Sequence, residues 1–396
     1  MPLSGPTGAL RKMALSEGYH AAAAGLTAIR EPINKARHVP GSFYSSPEVY
    51  ELEKQNIFMK DWLCIARVEE LENPGDYMAI RVMGEPAIVV RDDEGELKAF
   101  SNTCAHRGVE VIWGEGNTSH FSCPYHGWTY DLKGALTGAS FMEESEEFDP
   151  EQCGLPELRL DTWAGWVFIT FNADAQALSG FVAHFEQEFG LLQQEECRLA
   201  VKVEVELDCN WKLFVENLLD VYHAATLHVK TIGAKRGRAD QYPFNLFEQG
   251  GTSMFYHSDP MVPDGKSLFG KMPWLEDQPD NFACSGHLSP NLQLIARSDN
   301  VHPFLMWPLG PDRCRVVNYT LFPKQHFEQP DFEDKIQVYK DYLIEVVEED
   351  RLMVASLQQN MKSERFRPGP LSKLELGIYH VINNVVDRVY GDELSP

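Results

Sequence analysis

The chain is poor in cysteine, with eight among 396 residues, at positions 64, 104, 123, 153, 197, 209, 284 and 314. So thin a scatter argues against a disulfide framework and points to a reduced, cytoplasmic setting. Long apolar runs are missing too: no stretch approaches the roughly 18 residues that a membrane span requires. The run from Ala21 to Leu26 follows Glu17 and His20 rather than a basic segment, so the start reads as a helical arm and not as a signal peptide. Positive charge is scarce, with 35 Lys and Arg against 59 Asp and Glu and a net charge of -24. Nucleic acid and anionic membranes would be repelled. The chain also lacks a strand followed by G-x-G-x-x-G, since Gly114-Glu115-Gly116 has no third glycine. A flavin or nicotinamide must therefore sit on another protein. Internal repeats and low-complexity segments are absent.

What is present is ordinary for a folded enzyme: 43% hydrophobic and 24% charged residues, in a length that allows two or three domains. Residues 1–44 read as an N-terminal helical arm, with Ser45, Ser46 and Pro47 opening a helix that runs through Glu51 to Ile57. Residues 45–175 carry short apolar runs, among them Met78 to Ile80, Ala87 to Val90 and Trp166 to Ile169. Pro74-Gly75, Asp92 to Gly95 and Lys133-Gly134 punctuate them, which predicts a small antiparallel β domain. Residues 176–396 mix strands and longer helices. Val201, Val203, Val205 and Leu207 alternate with charged residues as a half-buried strand, and helical spacing follows from Trp211 to Tyr222 and from Asp331 to about Gln359. The fold class is α+β.

Two short motifs carry chemistry. The first is C-x-H-x16-C-x2-H, formed by Cys104, His106, Cys123 and His126 on two loops of the β domain. Two thiolates and two neutral imidazoles suit a [2Fe–2S] cluster with a potential of about -150 to +300 mV. Structural zinc usually pairs C-x2–4-C with H-x3–5-H, whereas here each loop supplies one Cys and one His. The loops, with Arg107-Gly108, Pro124-Tyr125 and Gly127-Trp128 around the ligands, resemble the Rieske motif.

The second is N-x2-D-x-Y-H-x4-H, from Asn217 through Asp220, Tyr222 and His223 to His228. On a regular helix Asp220 and His223 lie about 60° apart but His223 and His228 about 140° apart, so the helix is predicted to bend or end between the histidines. Histidines near a helix end are more often plain core or surface residues than ligands, and a third ligand is needed. Ile336, Tyr339, Leu343, Val346, Val347, Met353, Val354 and Leu357 form an apolar stripe with Asp350 in its middle. A carboxylate there would cost several kcal/mol unless a metal or a cation offsets it. The alternative is a buried salt bridge, with Arg351 or another basic residue across the core. Glu345, Glu348 and Glu349 read as a solvated face. Two histidines and one carboxylate are the facial triad of non-haem iron oxygenases.

Downstream of a Rieske motif, this pattern is similar to the catalytic domain of the ring-hydroxylating and demethylating Rieske oxygenases, from about Ser42 to the C-terminal helix. The resemblance implies a helix-grip catalytic domain, with an antiparallel sheet and long helices. His223, His228 and Asp350 would bind Fe(II), and Asp220 would link His223 to the partner subunit's His126, in a ring of subunits that is commonly a homotrimer, with or without a small accessory subunit. It further implies a terminal oxygenase that uses O2 and electrons from NAD(P)H, delivered by a separate reductase with or without a ferredoxin. An electron carrier without catalysis would leave the second motif without purpose.

The expected substrate is an aromatic compound, aromatic acids included, to be hydroxylated or O-demethylated in an apolar cleft. Arg297 is a candidate anchor for its carboxylate. The alternative is a quaternary ammonium compound of the choline or betaine kind, because Trp307 to Arg313 and Pro74 to Tyr77 look like members that oxidise those. Aromatic residues such as Tyr256 and Trp307 could cage the cation. Candidate wall residues are Leu218, Leu227, Met254, Phe255, Tyr256, Phe304, Met306 and Trp307.

Overall fold

The computed structural model describes residues 23, 25–232 and 243–391. Most of the expected N-terminal helix thus lies outside the described residues. The remainder of the arm runs along the C-terminal helix. Arg30 donates to Asn383 Oδ1 at 2.7 Å, and Phe43 stacks on Tyr390. Ser46 caps the next helix, α1 (Pro47–Glu53), by accepting from the amides of Glu48 and Val49, with proline at a position that needs no donor.

The β domain holds a seven-stranded antiparallel sheet. Its strands are β1 (Leu63–Arg67), β2 (Asp76–Val82), β3 (Glu85–Arg91), β4 (Leu97–Ser101), β5 (Glu115–Asn117), β9 (Glu157–Trp163) and β10 (Trp166–Thr170), in the order β1-β10-β9-β4-β3-β2-β5. A three-stranded sheet, β6 (Phe121–Ser122), β7 (Thr129–Tyr130) and β8 (Leu136–Gly138), projects from it. The predicted apolar runs occupy β2, β3 and β10. Ile88, Val90, Phe100, Phe121, Trp128 and Tyr130 close a separate small core under the two Cys–His loops.

After short helices α2 (Leu178–Phe181) and α3 (Ala183–Phe189), a second seven-stranded antiparallel sheet begins with β11 (Cys197–Leu207). It continues through β12 (Asn245–Leu246), β13 (Thr252–His257), β14 (Phe282–Leu288), β15 (Leu292–Arg297), β16 (Phe304–Gly310) and β17 (Arg313–Pro323), in the order β11-β17-β16-β15-β14-β13-β12. The predicted alternation on β11 holds, with Val201 and Leu207 buried and Lys202, Glu204 and Glu206 exposed. The strand starts four residues earlier than its alternating core.

Helices α4 (Trp211–Leu219), α5 (Ala224–Leu227), α6 (Phe332–Met361) and α7 (Leu376–Tyr390) cover this sheet, α6 against β11 and α4 against β16. The arrangement is the sheet-and-long-helix fold the resemblance implied. A buried polar lock seats α4: Lys212 pairs with Glu53 of α1, and Trp211 Nε1 donates to the same carboxylate at 2.8 Å. The Gln358 side chain accepts the Asn210 amide at 2.8 Å and donates to the Tyr44 carbonyl, tying α6 to both. No helix among the described residues is long and apolar enough to cross a membrane.

Candidate metal centres and cavity

The two cluster loops are built alike. Cys104 N bonds Val109 O and Gly108 N bonds Cys104 O; Cys123 N bonds Trp128 O and Gly127 N bonds Cys123 O. Each loop closes through a glycine at positive φ, 79° for Gly108 and 72° for Gly127, a region that a side chain would strain. The thiols of Cys104 and Cys123 are buried, while His106 and His126 stand exposed at the tip with ring centroids 4.6 Å apart. His106 stacks on Trp128 at 4.9 Å, and the Tyr130 hydroxyl lies 3.2 Å from Cys104 Sγ. Four ligands of one zinc ion would sit within about 4 Å of each other. Among the described residues no three of these four converge within 4.8 Å, as single-ion ligands would. The spread suits a two-iron cluster.

His223, His228 and Asp350 do converge, with one ligand atom each within 4.8 Å of the others. His228 Nε2 lies 3.2 Å from His223 Nε2 and 3.0 Å from Asp350 Oδ1, and His223 Nε2 lies 3.6 Å from that oxygen. Ligands about 2.1 Å from an ion at near right angles would be spaced by about 3 Å. Asp350 Oδ1 is buried and faces both ring nitrogens without a well-aligned hydrogen bond to either, as expected of a lone pair directed at a cation. The donor set therefore fits a divalent iron. Arg351 is not its partner, because it pairs with Glu348.

The chain reaches this geometry by breaking a helix earlier than predicted. α4 ends at Leu219, and Asp220 turns extended with φ -76° and ψ 105°. Its Oδ1 accepts the Tyr222 amide at 2.7 Å, a local turn that competes with helix continuation. His223 and His228 then flank the single turn α5. The break falls before His223 rather than between the histidines, because the Asp220 side chain supplies the competing bond.

Both rings are backed by carboxylates. Asp220 Oδ2 lies 3.1 Å from His223 Nδ1, and Glu349 Oε2 lies 2.7 Å from His228 Nδ1 while accepting from Thr231 Oγ1 at 2.7 Å. Glu349 is thus no solvated residue, a correction to the reading of its helix face. Tyr342, also buried on α6, widens the apolar stripe to within about 20° of Glu349, which is the sequence signal for its inward position. Burial disfavours the charged form of His223, but Asp220 and Asp350 outweigh it and raise the ring to about 9. Burial likewise works against ionised Asp350, and the two histidines hold its carboxyl below the usual range. Carboxylate-backed imidazoles are a device for fixing the tautomer that presents Nε2 to a metal.

The three residues open into a narrow cavity of about 70 Å³, walled by Phe214, Leu218, Tyr256, Arg297, His302 and Phe304 among others. Of the expected wall residues, Leu218, Tyr256 and Phe304 are placed there. Leu227 lines a different hollow, and Met254 and Met306 are plain core. Phe255 packs against Phe189 and Phe282, and Trp307 borders a cleft between the two sheets with Met78 and Lys202. Phe214 and His302 complete the wall, and Arg297, expected as an anchor, stands in it as well. The other hollow, about 840 Å³, lies on the far side of Asp220 and His223, which border both. Met353 and Leu357, expected in the core, are exposed on its wall, because the buried face of α6 has turned to Val354 and Gln358 there.

A fold with a Rieske-like cluster domain and a facial triad on a sheet-and-helix domain defines a Rieske non-haem iron oxygenase. Residues 194–391 match the family model "Ring hydroxylating alpha subunit (catalytic domain)" and residues 61–149 the model "Rieske [2Fe-2S] domain"; the chain belongs to this family, whose members use a [2Fe–2S] cluster, mononuclear iron, O2 and reductase electrons. It is similar to the carnitine monooxygenase oxygenase subunit of Acinetobacter baumannii, at 36% identity over 194 residues. That stretch is 48% of this chain and about half, 52%, of that relative's length. The glycine betaine monooxygenase oxygenase subunit of Pseudomonas aeruginosa is 25% identical over 383 residues, 89% of each chain. Among solved structures, a quaternary ammonium Rieske monooxygenase whose description refers to carnitine oxidation by gut microbiota superposes with a TM-score of 0.76 and 26% identity, covering 91% of this chain and 97% of that one.

Proposed function

We propose that this chain is the terminal oxygenase component of a system that oxidises a small quaternary ammonium compound, with electrons from NAD(P)H through a separate reductase. Cys104, His106, Cys123 and His126 hold the cluster, and His223, His228 and Asp350 hold Fe(II), which supplies the activation of O2 when bound. One oxygen atom enters a C–H bond next to the ammonium nitrogen and the other leaves as water, which consumes two electrons and two protons. The C–N bond then breaks to an aldehyde, a tertiary amine and a proton.

The observation that carries this reading is the cavity itself. The Phe214 and Phe304 rings meet edge to face at 6.1 Å in a wall shared with Asp220 and Asp350. Aromatic faces beside carboxylates attract a cation with bulky methyl groups. Relatives named for carnitine and glycine betaine give the same direction. The sequence alone put an aromatic substrate first because an apolar cleft suits a flat ring equally well.

Asp220 is the electron bridge in this reading. It stands between the metal cavity and the open hollow, where Tyr222, Met353 and Leu357 present exposed apolar surface. The exposed cluster tip with Tyr125, His106 and His126 suits docking there from a neighbouring copy in a homotrimer. Single turnover tests the substrate class: reduced, iron-replete protein is given O2 with N-methylated ammonium compounds, aromatic acids and methoxy-aromatics. A tertiary amine with an aldehyde is expected, and hydroxylated or demethylated aromatics as the only products would replace the proposal with the aromatic one.

A further inference from the structure

The cavity that holds the triad has a second charged side chain that the metal chemistry does not use. Arg297, at the end of β15, is 2% exposed. One of its terminal nitrogens donates to Tyr256 Oη at 2.9 Å and to the Ala296 carbonyl at 3.2 Å, while Nε is buried without a hydrogen-bond partner. Among the described residues it forms no ion pair. Asp299, two positions on, accepts from the Tyr339 hydroxyl through Oδ2 at 2.5 Å; the charge of Arg297 acts on it only from beyond ion-pair contact, and its Oδ1 is buried without a hydrogen-bond partner. Burying a guanidinium without a carboxylate in contact is costly, and its fork matches a carboxylate.

His302 lies in the same wall with a second open atom. Its Nδ1 is 2.9 Å from Asn300 Oδ1, so the proton sits on Nδ1 and Nε2 is an acceptor, buried and without a partner. Burial and the charge of Arg297 keep this ring neutral, so no second cation competes beside Arg297. Nε2 is free to accept from a hydroxyl or a water next to the bound anion.

The cavity lining carries both signs, with the carboxylates of Asp220 and Asp350 beside the two histidines and the guanidinium of Arg297 in the same wall. A compound with an ammonium and a carboxylate fits that polarity in one orientation only, with its N-methyl groups toward the metal.

We infer that Arg297 is a specificity-determining residue that binds a carboxylate of the substrate, so that the compound oxidised is a zwitterionic N-methylated ammonium carboxylate rather than a simple cation such as choline. The inference rests on the quaternary ammonium reading and adds the anion to it.

Calorimetric titration of the resting, iron-replete enzyme with glycine betaine, choline and benzoate tests it without turnover. Wild type should bind glycine betaine more tightly than choline. Arg297→Gln should weaken glycine betaine about 10- to 100-fold and change choline by about twofold or less, with the cluster absorption as the check on folding. Should that variant lose its cluster, Arg297→Lys carries the test: it keeps the charge without the fork and should weaken glycine betaine while sparing choline. Equal loss for glycine betaine and choline, no loss for either, or binding of choline alone would overturn the subsite. Binding of benzoate alone, sensitive to Arg297, would keep the anion subsite and instead remove the quaternary ammonium reading beneath it.

Discussion

His228 Nδ1 and Glu349 Oε2 lie 2.7 Å apart, which places the residue next to Asp350 in sequence behind the His228 ring while Asp350 itself stands in front. One turn of α6 thus supplies both a proposed metal ligand and the support of another. Carboxylate support of a ligating histidine raises its basicity and fixes its tautomer, and its removal costs about 10- to 100-fold in metal affinity. Glu349→Ala should therefore lose iron to a mild chelator at correspondingly lower concentration, with the cluster spectrum unchanged. Retention equal to wild type would show that Thr231 or water suffices to hold the ring.

Asp350→Ala removes the ligand itself. The mononuclear iron should be lost while both cluster irons stay, because the cluster loops sit on a separate small core. Iron and sulfide analysis measures this, and an unchanged iron content would place the third ligand elsewhere.

Asp220→Asn tests the proposed electron bridge, because it keeps the side-chain shape and removes the charge. Both metal sites should load, and electron transfer from reduced cluster to the substrate-bound iron should slow greatly in single turnover. Normal rates would mean that His223 is reached by another path.

The two Cys–His loops and the histidines that converge with Asp350 were legible in the sequence because the chemistry proposed for them needs rare residue types at fixed spacings, as in C-x-H, C-x2-H and D-x2-H. Asp350 was legible for a different reason, since a carboxylate in an apolar helical stripe is costly without a partner. The helix break before His223 was not, because it depends on which backbone amide the Asp220 carboxylate accepts, and spacing alone does not say. The cavity wall was read least well. Tyr256 and Phe304 are inward on their strands, but Trp307 and Phe255 have the same composition and alternate to the other face, and a one-residue difference in register decides which way each points. Glu349 was misplaced because the stripe on α6 is one residue wider than its aliphatic members suggest.

The Cys104 thiol and the Tyr130 hydroxyl, 3.2 Å apart in a buried setting, bear on cluster potential. A hydrogen bond to a ligand sulfur stabilises the reduced, more negative cluster and raises the potential. Tyr130→Phe should lower the midpoint by tens of millivolts in a spectroelectrochemical titration and leave the mononuclear iron in place. An unchanged midpoint would mean that the hydroxyl donates elsewhere once the cluster is bound.

Glu216 sets a pH dependence of stability that is separate from the metals. Burial is the main cause that raises its carboxyl to about 7 from an ordinary 4.5, against the lowering effects of the Tyr44 hydroxyl, His38 and Lys212. Between those values the native state holds a proton that the unfolded chain has released, so stability falls as pH rises across that window. The loss amounts to on the order of 3 kcal/mol once Glu216 is fully ionised. Glu216→Gln keeps an acceptor for the Tyr44 hydroxyl, which lies 2.7 Å from the carboxylate, and carries no charge to desolvate. Denaturant unfolding of the holoenzyme at pH 5 and pH 8 should therefore show a smaller drop for the variant than for wild type. An equal drop in both would assign the pH dependence to the neighbouring His38 and Glu375 pair, 3.1 Å apart, instead of to Glu216.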